Sequence, residues 1–416
     1  MDGTLDNVAR ELGLDPVAVR RLNMLEPRDY PYTMATGEEL ADITPRETME
    51  GVLAAIDYDA FRARQVQARS RGEILGLGIC TVVESTTYGS KFYKAAGIPG
   101  SGHEAAWVRI EPSGVVNASV GLGATGQGYE TALSQAVAEG LGIPSSQVKI
   151  HLGHTDIAPY GMGSRGARGG TAGGGTLYLC AQDARHTVLA IAAHSLQLPL
   201  DAVRMQDGRV QRHEQGAWQD AGLGLADIAR LAYLDPLALP PGIGPGLEFH
   251  KTYEPPPMTY SNSSHACIVR LDAATGAVHI ERYVAAEDCG TVLSPVVVEG
   301  QQHGAIAMGL SGSLMEHVQY DESTGQNLSG SLADYLVATA HEIPRFELIP
   351  MHTPNRATPA GIKGMAEGGV MGSIGALMNA VNDALAPFGV RADRQPLSPT
   401  YLRSLLRGKQ VTEKKE

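Results

Sequence analysis

Three glycine-rich runs hold the residues whose types and spacing could do chemistry. The first is Gly121-Leu122-Gly123-Ala124-Thr125-Gly126-Gln127-Gly128; the second extends from Gly161 to Gly175 and carries Arg165, Arg168 and Thr171; the third extends from Gly364 to Gly372 and carries Glu367. Each leads into helical apolar spacing: Leu133, Ala136, Val137 and Leu141 after the first, Ala181 and Ala190 after the second, Leu377, Ala380, Val381, Ala384 and Leu385 after the third. Glycine lets backbone amides approach a ligand closely, and helix N-termini favour anions. Three such ends in one chain predict a cage for a phosphate-bearing cofactor; the other use of glycine here is tight turns and close helix packing. Gly121, Gly123 and Gly126 also satisfy G-x-G-x-x-G, but a nicotinamide site needs an acid about 20 residues on, at the end of the next strand. That strand, Val148-Lys149-Ile150-His151, ends in histidine, and Asp156 comes too late. No G-x-x-x-x-G-K-[ST] loop is present. His151, His154 and Asp156 gather no further ligand of matching kind, so no protein-ligated metal is expected. From spacing alone, Glu367 is equally a general base or the cap of the helix that follows it.

The elements that position these loops can be read from pattern. Residues 1–72 read as a helical lead: Gly13 suits a helix C-terminus, and Asp15-Pro16 opens a second helix marked by Val17, Val19 and Leu22. Ala106 to Ile110, a Pro112-Ser113-Gly114 turn and Val115 to Val120 read as a hairpin. A similar unit returns at Ala266 to Leu271, turning through Thr275-Gly276 into Val278-His279-Ile280. Two such hairpins predict two α/β lobes built alike, an α+β chain divided as 73–238 and 239–408. The Gly/Pro-rich stretch from Leu239 to Gly246 lies between them as the linker candidate. Residues 409–416 are a charged tail expected to fray.

Composition narrows the classes. The chain has 416 residues, 45 acidic and 33 basic, for a formal charge of −12, and 50 glycines, about 12% where roughly 7% is usual. The acidic balance, with no basic block outside the tail, argues against nucleic acid as the partner. No run of about 18 apolar residues is available to span a bilayer. Asp2 and a charged amphipathic stretch follow Met1, which predicts no secretory signal and a cytoplasmic location. Cys80, Cys180, Cys267 and Cys289 are scattered with no CxxC pair, so neither an iron–sulfur cluster nor a disulfide framework is expected on this chain.

Taken together, the motifs resemble the molybdenum hydroxylases, the family of xanthine dehydrogenase, aldehyde oxidoreductase and aerobic carbon monoxide dehydrogenase. The resemblance rests on Gly126-Gln127-Gly128-Tyr129-Glu130-Thr131, Pro159-Tyr160-Gly161-Met162-Gly163, Glu287-Asp288-Cys289-Gly290 with Glu299-Gly300-Gln301, Gly330-Ser331-Leu332-Ala333-Asp334-Tyr335, and Lys363-Gly364-Met365-Ala366-Glu367. It implies the two-lobed molybdopterin-binding fold and a cofactor of molybdopterin with molybdenum, in its cytosine dinucleotide form. Gly126, Gln127 and Gly128 would lie near the metal end. Arg168, Gly169, Gly170 and Thr171 would lie by the pyrophosphate arm, where the family's flanking hydroxyl residues have become Ala167, Gly169 and Gly170. Gln301 would lie at the dithiolene end, and Lys363 and Gly364 would lead to Glu367. The resemblance makes Glu367 the catalytic base, which takes the proton of a hydroxyl as its oxygen attacks an electron-poor carbon. Ala366 stands where the family has glycine. Cys289 reads as a small buried residue. Tyr160, Met162 and Met365 are candidates to line a substrate pocket.

The resemblance covers only the second half of the family's molybdenum subunit; the first half's Gly-Gly-Phe-Gly-type loop is not in this sequence. The expectation is therefore one piece of a split subunit, completed by an N-terminal-half partner and joined by iron–sulfur and FAD subunits in a dimer of heteromers. It would hydroxylate an N-heterocycle or aldehyde carbon with water-derived oxygen. The alternatives are a non-catalytic cofactor carrier or relic of the same fold, and a nicotinamide-dependent dehydrogenase.

Overall fold

The computed structural model describes residues 2–409; the charged tail, Lys409 apart, lies outside the described residues. The lead is helical. Helix α1 (Asp2–Leu12) stops at Gly13, whose φ of +65° releases Leu14 to bond back to Ala9. Helix α2 (Pro16–Asn23) starts where the Asp15 carboxylate accepts from the amides of Val17 (2.8 Å) and Ala18 (2.9 Å), with proline at its first turn. A two-residue ladder, β1 (Tyr32–Thr33) with β2 (Glu39–Leu40), precedes α3 (Pro45–Ile56) and α4 (Tyr58–Ser70).

Next come the long strand β3 (Ile74–Tyr88), the short α5 (Ser90–Ala95), the predicted hairpin β4 (Glu104–Ile110) and β5 (Val116–Val120), then α6 (Tyr129–Leu141), β6 (Val148–His151) and α7 (Gly175–Leu196). An antiparallel appendage that pattern reading missed follows: β7 (Val203–Gln206), β8 (Arg209–Glu214) and β9 (Ala217–Gly224), with α8 (Leu225–Leu234). Then β10 (Glu248–Tyr253) leads to the second hairpin, β11 (Met258–Leu271) and β12 (Val278–Asp288), then α9 (Pro295–Leu314), β13 (Phe346–Met351), α10 (Gly368–Leu385) and α11 (Pro399–Leu406).

The two large sheets repeat one topology. In the order β10-β4-β5-β6, a hairpin carries an antiparallel strand on one side and, through α6, a parallel strand on the other. In the order β3-β11-β12-β13 the same pattern recurs, with α9 as the crossover. The expectation of two lobes built alike holds at the level of topology. The division at 238/239 does not separate the sheets, because each lobe's leading strand pairs in the other lobe. Strand length gives the reason. The 15-residue β3 would overhang the seven-residue β4, whereas the 14-residue β11 matches it; six-residue β10 matches β4 instead.

Three apolar clusters hold the layers. In the first lobe, Val108, Ile110, Val120, Leu133, Val137 and Leu177 pack one sheet face against α6 and α7. The second sheet is covered on both faces. Cys267, Val269, Tyr283, Ile306, Leu377 and Ala380 bury one face beneath α9 and α10. Leu75, Leu77, Ile79, Ile268 and Val284 bury the other beneath Met49, Val52, Leu53 and Phe61 of the lead. The lead is thus an integral layer of the second lobe. Buried Arg20 of α2 ties it down, reaching Asp6 (2.5 Å) and the carbonyl of Ile79 on β3 (3.0 Å).

The closest helix–sheet approach depends on glycine. A Cβ at Gly78 would overlap the Ala376 carbonyl and the Ala380 amide of α10, and backbone cannot give way as a flexible side chain can. Gly78→Ala should therefore lower the unfolding free energy by about 3 kcal/mol or more, measured by chemical denaturation. Among the described residues, no helix is long and apolar enough to cross a membrane.

Candidate cofactor-binding and catalytic site

The loops that precede four helices meet in one cleft between the lobes. Gln127 and Tyr129 come from the start of α6, Gly169 and Gly170 from a π-helical turn (Gly169–Gly174) feeding α7, Ser294 and Gln301 from α9, and Lys363 to Ala366 from the segment before α10. A π turn at such a place is a common mark of a functional site. Gly128 caps α6 with φ +73°, and a Cβ there would come within 2.8 Å of Val297 on α9, so only glycine lets these two N-termini draw together.

Although the chain carries a net charge of −12, no aspartate or glutamate among the described residues lines this cleft. Helix N-termini, glycine backbone and amide side chains suit an anion, and acidic lining would oppose one. The hydroxyl of Thr171 is fully buried within the turn, with no hydrogen-bond partner among the described residues. The residues present therefore fit a large anionic cofactor.

Not every expected contact points inward. Gln127, Gly169, Gly170, Gln301, Lys363 and Gly364 line the cleft. Gly126 is exposed with φ +99°, and Gly128 and Thr171 support the walls from behind. Arg168, expected beside a phosphate arm, is only 1% exposed. Its guanidinium donates to Glu104 (2.6 Å) and to the carbonyls of Gly163 (3.0 Å), Gly102 (2.8 Å) and His103 (3.1 Å). Glu104 in turn fills the space where side chains at Gly121 and Gly161 would stand. The pair thus fastens the first glycine run to the second.

Lys363 is corrected in the same way. Its side chain is fully buried, and its ammonium bonds to the Asp42 carbonyl (2.6 Å) and the Asp288 carboxylate (3.2 Å), so only backbone and stem face the cleft. Burial opposes the Asp288 charge, but Lys363 and bonds from Thr353, Thr44 and Gly290 outweigh it and hold the carboxyl below its ordinary range. Lys363→Met should cost about 3 kcal/mol of stability at neutral pH, because it strands a buried carboxylate. The deficit should shrink as pH falls and Asp288 takes a proton, which denaturation at two pH values checks.

Glu367 follows Ala366 at the start of α10 and is exposed. Its side chain makes no capping hydrogen bond, so the helix-cap alternative is not realised. Ala366 is not among the residues at positive φ, so alanine in place of the family's glycine carries no strain. Gly364 packs directly on Ala167, which is held at φ +52°. Cys289 lines the cleft but is 4% exposed; burial, with Glu287 and Asp288 nearby, pushes its thiol up to about 12, which leaves it a neutral wall. Met365 lines the cleft, whereas Tyr160 is exposed and stacks on His103. Glu84, which sequence reading passed over, and Glu287, which it named only within a motif, lie buried under the N-terminus of α10. The available signal was a single acid in the otherwise uncharged strand β3.

Comparisons with known proteins agree with this geometry. The large subunit of nicotine 6-hydroxylase from Paenarthrobacter nicotinovorans is 34% identical over 96% of this chain and 48% of its own length. The carbon monoxide dehydrogenase large chain of Hydrogenophaga pseudoflava is 34% identical over 93% of this chain and 47% of its own. Quinoline 2-oxidoreductase from Pseudomonas putida 86 superposes with a TM-score of 0.90 at 35% identity, over 98% of this chain and 51% of that one. The chain spans about half the length of the relatives it matches. Residues 51–344 match the molybdopterin cofactor-binding domain. The chain belongs to the molybdopterin cofactor-binding domain family.

Proposed function

We propose that this chain supplies one wall of the cofactor site and the general base of a molybdenum hydroxylase acting on an electron-poor carbon, with an N-heterocycle favoured over an aldehyde. The observation that carries the proposal is Glu367, a carboxylate unused by its own helix, standing directly after the segment that lines the cleft. Two of the similar proteins named above are, by name, a nicotine hydroxylase and a quinoline oxidoreductase, which supports the heterocycle. When bound, the cofactor would supply the oxygen to be transferred and accept the electrons. Gln127, Gln301 and the amides around Gly169, Gly170 and Gly364 would orient it. Glu367 would take the proton released as the new C–O bond forms, a role that contributes typically 10²–10⁴-fold. The cytosine dinucleotide form is the one proposed.

The remaining parts are proposed to come from elsewhere in a complex: a section equivalent to the relatives' other half, an iron–sulfur subunit and an FAD subunit, assembled as a cytoplasmic dimer of heteromers. Val296 and Met308 on α9, and Leu332, Leu336 and Val337 in the segment after it, are exposed apolar side chains that such a neighbour would cover. The test is metal and pterin-nucleotide analysis of the purified complex with dye reduction by a panel of N-heterocycles and aldehydes. Cofactor bound without turnover of any substrate would favour the carrier alternative, and saturable NAD binding without pterin would favour the dehydrogenase.

A further inference from the structure

The sheet face beneath α10 changes character along its length. Under the helix body it is apolar and small, with Gly76, Gly78 and Cys80 of β3 meeting Ala384, Ala376, Ala380 and Gly375. Under the N-terminus it is polar: Glu84 of β3, its cross-strand partner Ser261 and Ser263 of β11, and Glu287 of β12, register partner of Ser263. A Cβ on Gly368 would lie 3.4 Å from Oε2 of Glu84, 3.3 Å from Oγ of Ser263 and 3.2 Å from Oε1 of Glu287. Both carboxyls are about 95% buried, and neither oxygen of Glu84 has a well-formed hydrogen bond.

The groups around Glu84 give it no counter-ion. Burial, then Glu367, then Glu287 push it up to about 8, and Ser261 pulls weakly the other way. Burial, aided by Asp288 and opposed by Gln302 of α9, pushes Glu287 up to about 8. Burial takes His265, deeper on the same face and bonded to Tyr283 (2.9 Å), down to about 4. None of the main influences on Glu84 is a cation, and a carboxyl buried with neither counter-ion nor well-formed hydrogen bond favours its neutral form. A neutral acid has one O–H donor, and a buried donor requires an acceptor. Glu367, next in the chain to the Gly368 that packs over Glu84, is the carboxylate nearest at hand in sequence and the strongest charged influence on it.

Resting on the assignment of Glu367 as base, we propose that Glu84 is its positioning residue: the neutral carboxyl of Glu84 donates its O–H to the Glu367 carboxylate and holds it at the cleft. The two groups then carry one proton and one negative charge between them. A charge-assisted hydrogen bond is short and directional, so Glu84 fixes which way the Glu367 carboxylate points. Glu84 keeps its own proton throughout. Above its titration the pair would carry two charges, and the orientation would be lost.

The test has an arm that needs no turnover. Infrared spectra of the full chain at pH 7 should show protonated-carboxyl absorption that Glu84→Gln diminishes and that Glu367→Gln shifts in frequency without loss of intensity. In the loaded complex, Glu84→Leu removes the donor and should lower kcat by about ten-fold while KM changes little. Glu84→Gln, isosteric and able to donate through its amide, should restore most of the rate. An unchanged carboxyl absorption in Glu84→Gln, or an unchanged kcat in a folded Glu84→Leu complex, would overturn the pair. Wild-type turnover by Glu367→Gln would instead overturn the base assignment, and the infrared result separates these two failures.

Discussion

Glu367→Gln should leave cofactor content unchanged and lower turnover by about 10²–10⁴-fold. Cofactor retention follows from placement: Glu367 is exposed, does not cap α10 and is not part of the cleft wall, so its loss removes no contact that shapes the cradle. The amide keeps the volume and one hydrogen-bonding oxygen but cannot take a proton at neutral pH. The measurement is single-turnover reduction of the loaded complex beside pterin and metal content. Loss of both together would assign Glu367 to binding, and turnover at the wild-type rate would remove it from the reaction.

Arg168→Met should destabilise the chain by about 3–5 kcal/mol, because Glu104 would remain fully buried without its cation. The consequence should reach the site. Arg168 also holds the carbonyls of Gly102, His103 and Gly163, and Glu104 packs against Gly121 and Gly161, so two cofactor loops lose one fastening. Cofactor content should fall with stability. Glu104→Gln combined with Arg168→Met removes both charges and should recover part of the loss, which a double-mutant cycle by chemical denaturation measures. Native stability with lost cofactor would show that Arg168 acts on the cofactor directly.

Much of this site was legible because its signals are local. The hairpins announce themselves by alternation and by turn glycines, and Gly114 and Gly276 do sit at φ +86° and +81°. The run of Leu377, Ala380, Val381, Ala384 and Leu385 has helical spacing and is the buried stripe of α10. The segments that end the glycine runs before α6, α7 and α10 meet in one cleft, although some of their glycines serve packing, as Gly121 and Gly161 do around Glu104. The direction of a cation was not legible. An arginine in a glycine loop can meet a phosphate or a carboxylate, and the carboxylate that claims Arg168 lies 64 residues away. Lys363 was misplaced for the same reason, since Asp42 and Asp288 are distant in the chain.

By itself, then, the sequence determined most of the element types, the paired hairpins and the loops able to approach an anion, each of which follows from residue type at short range. Spacing left Glu367 equally a base or a helix cap, and only the family resemblance made it the base. Only the tertiary structure decided that β3 and β10 trade lobes, because that choice depends on matching strand lengths across the chain. It also turned Arg168 and Lys363 inward as fasteners, since a buried charge goes to the counter-charge that folding brings to it. And it set Glu84 under the N-terminus of α10, where burial raises its carboxyl above the ordinary range.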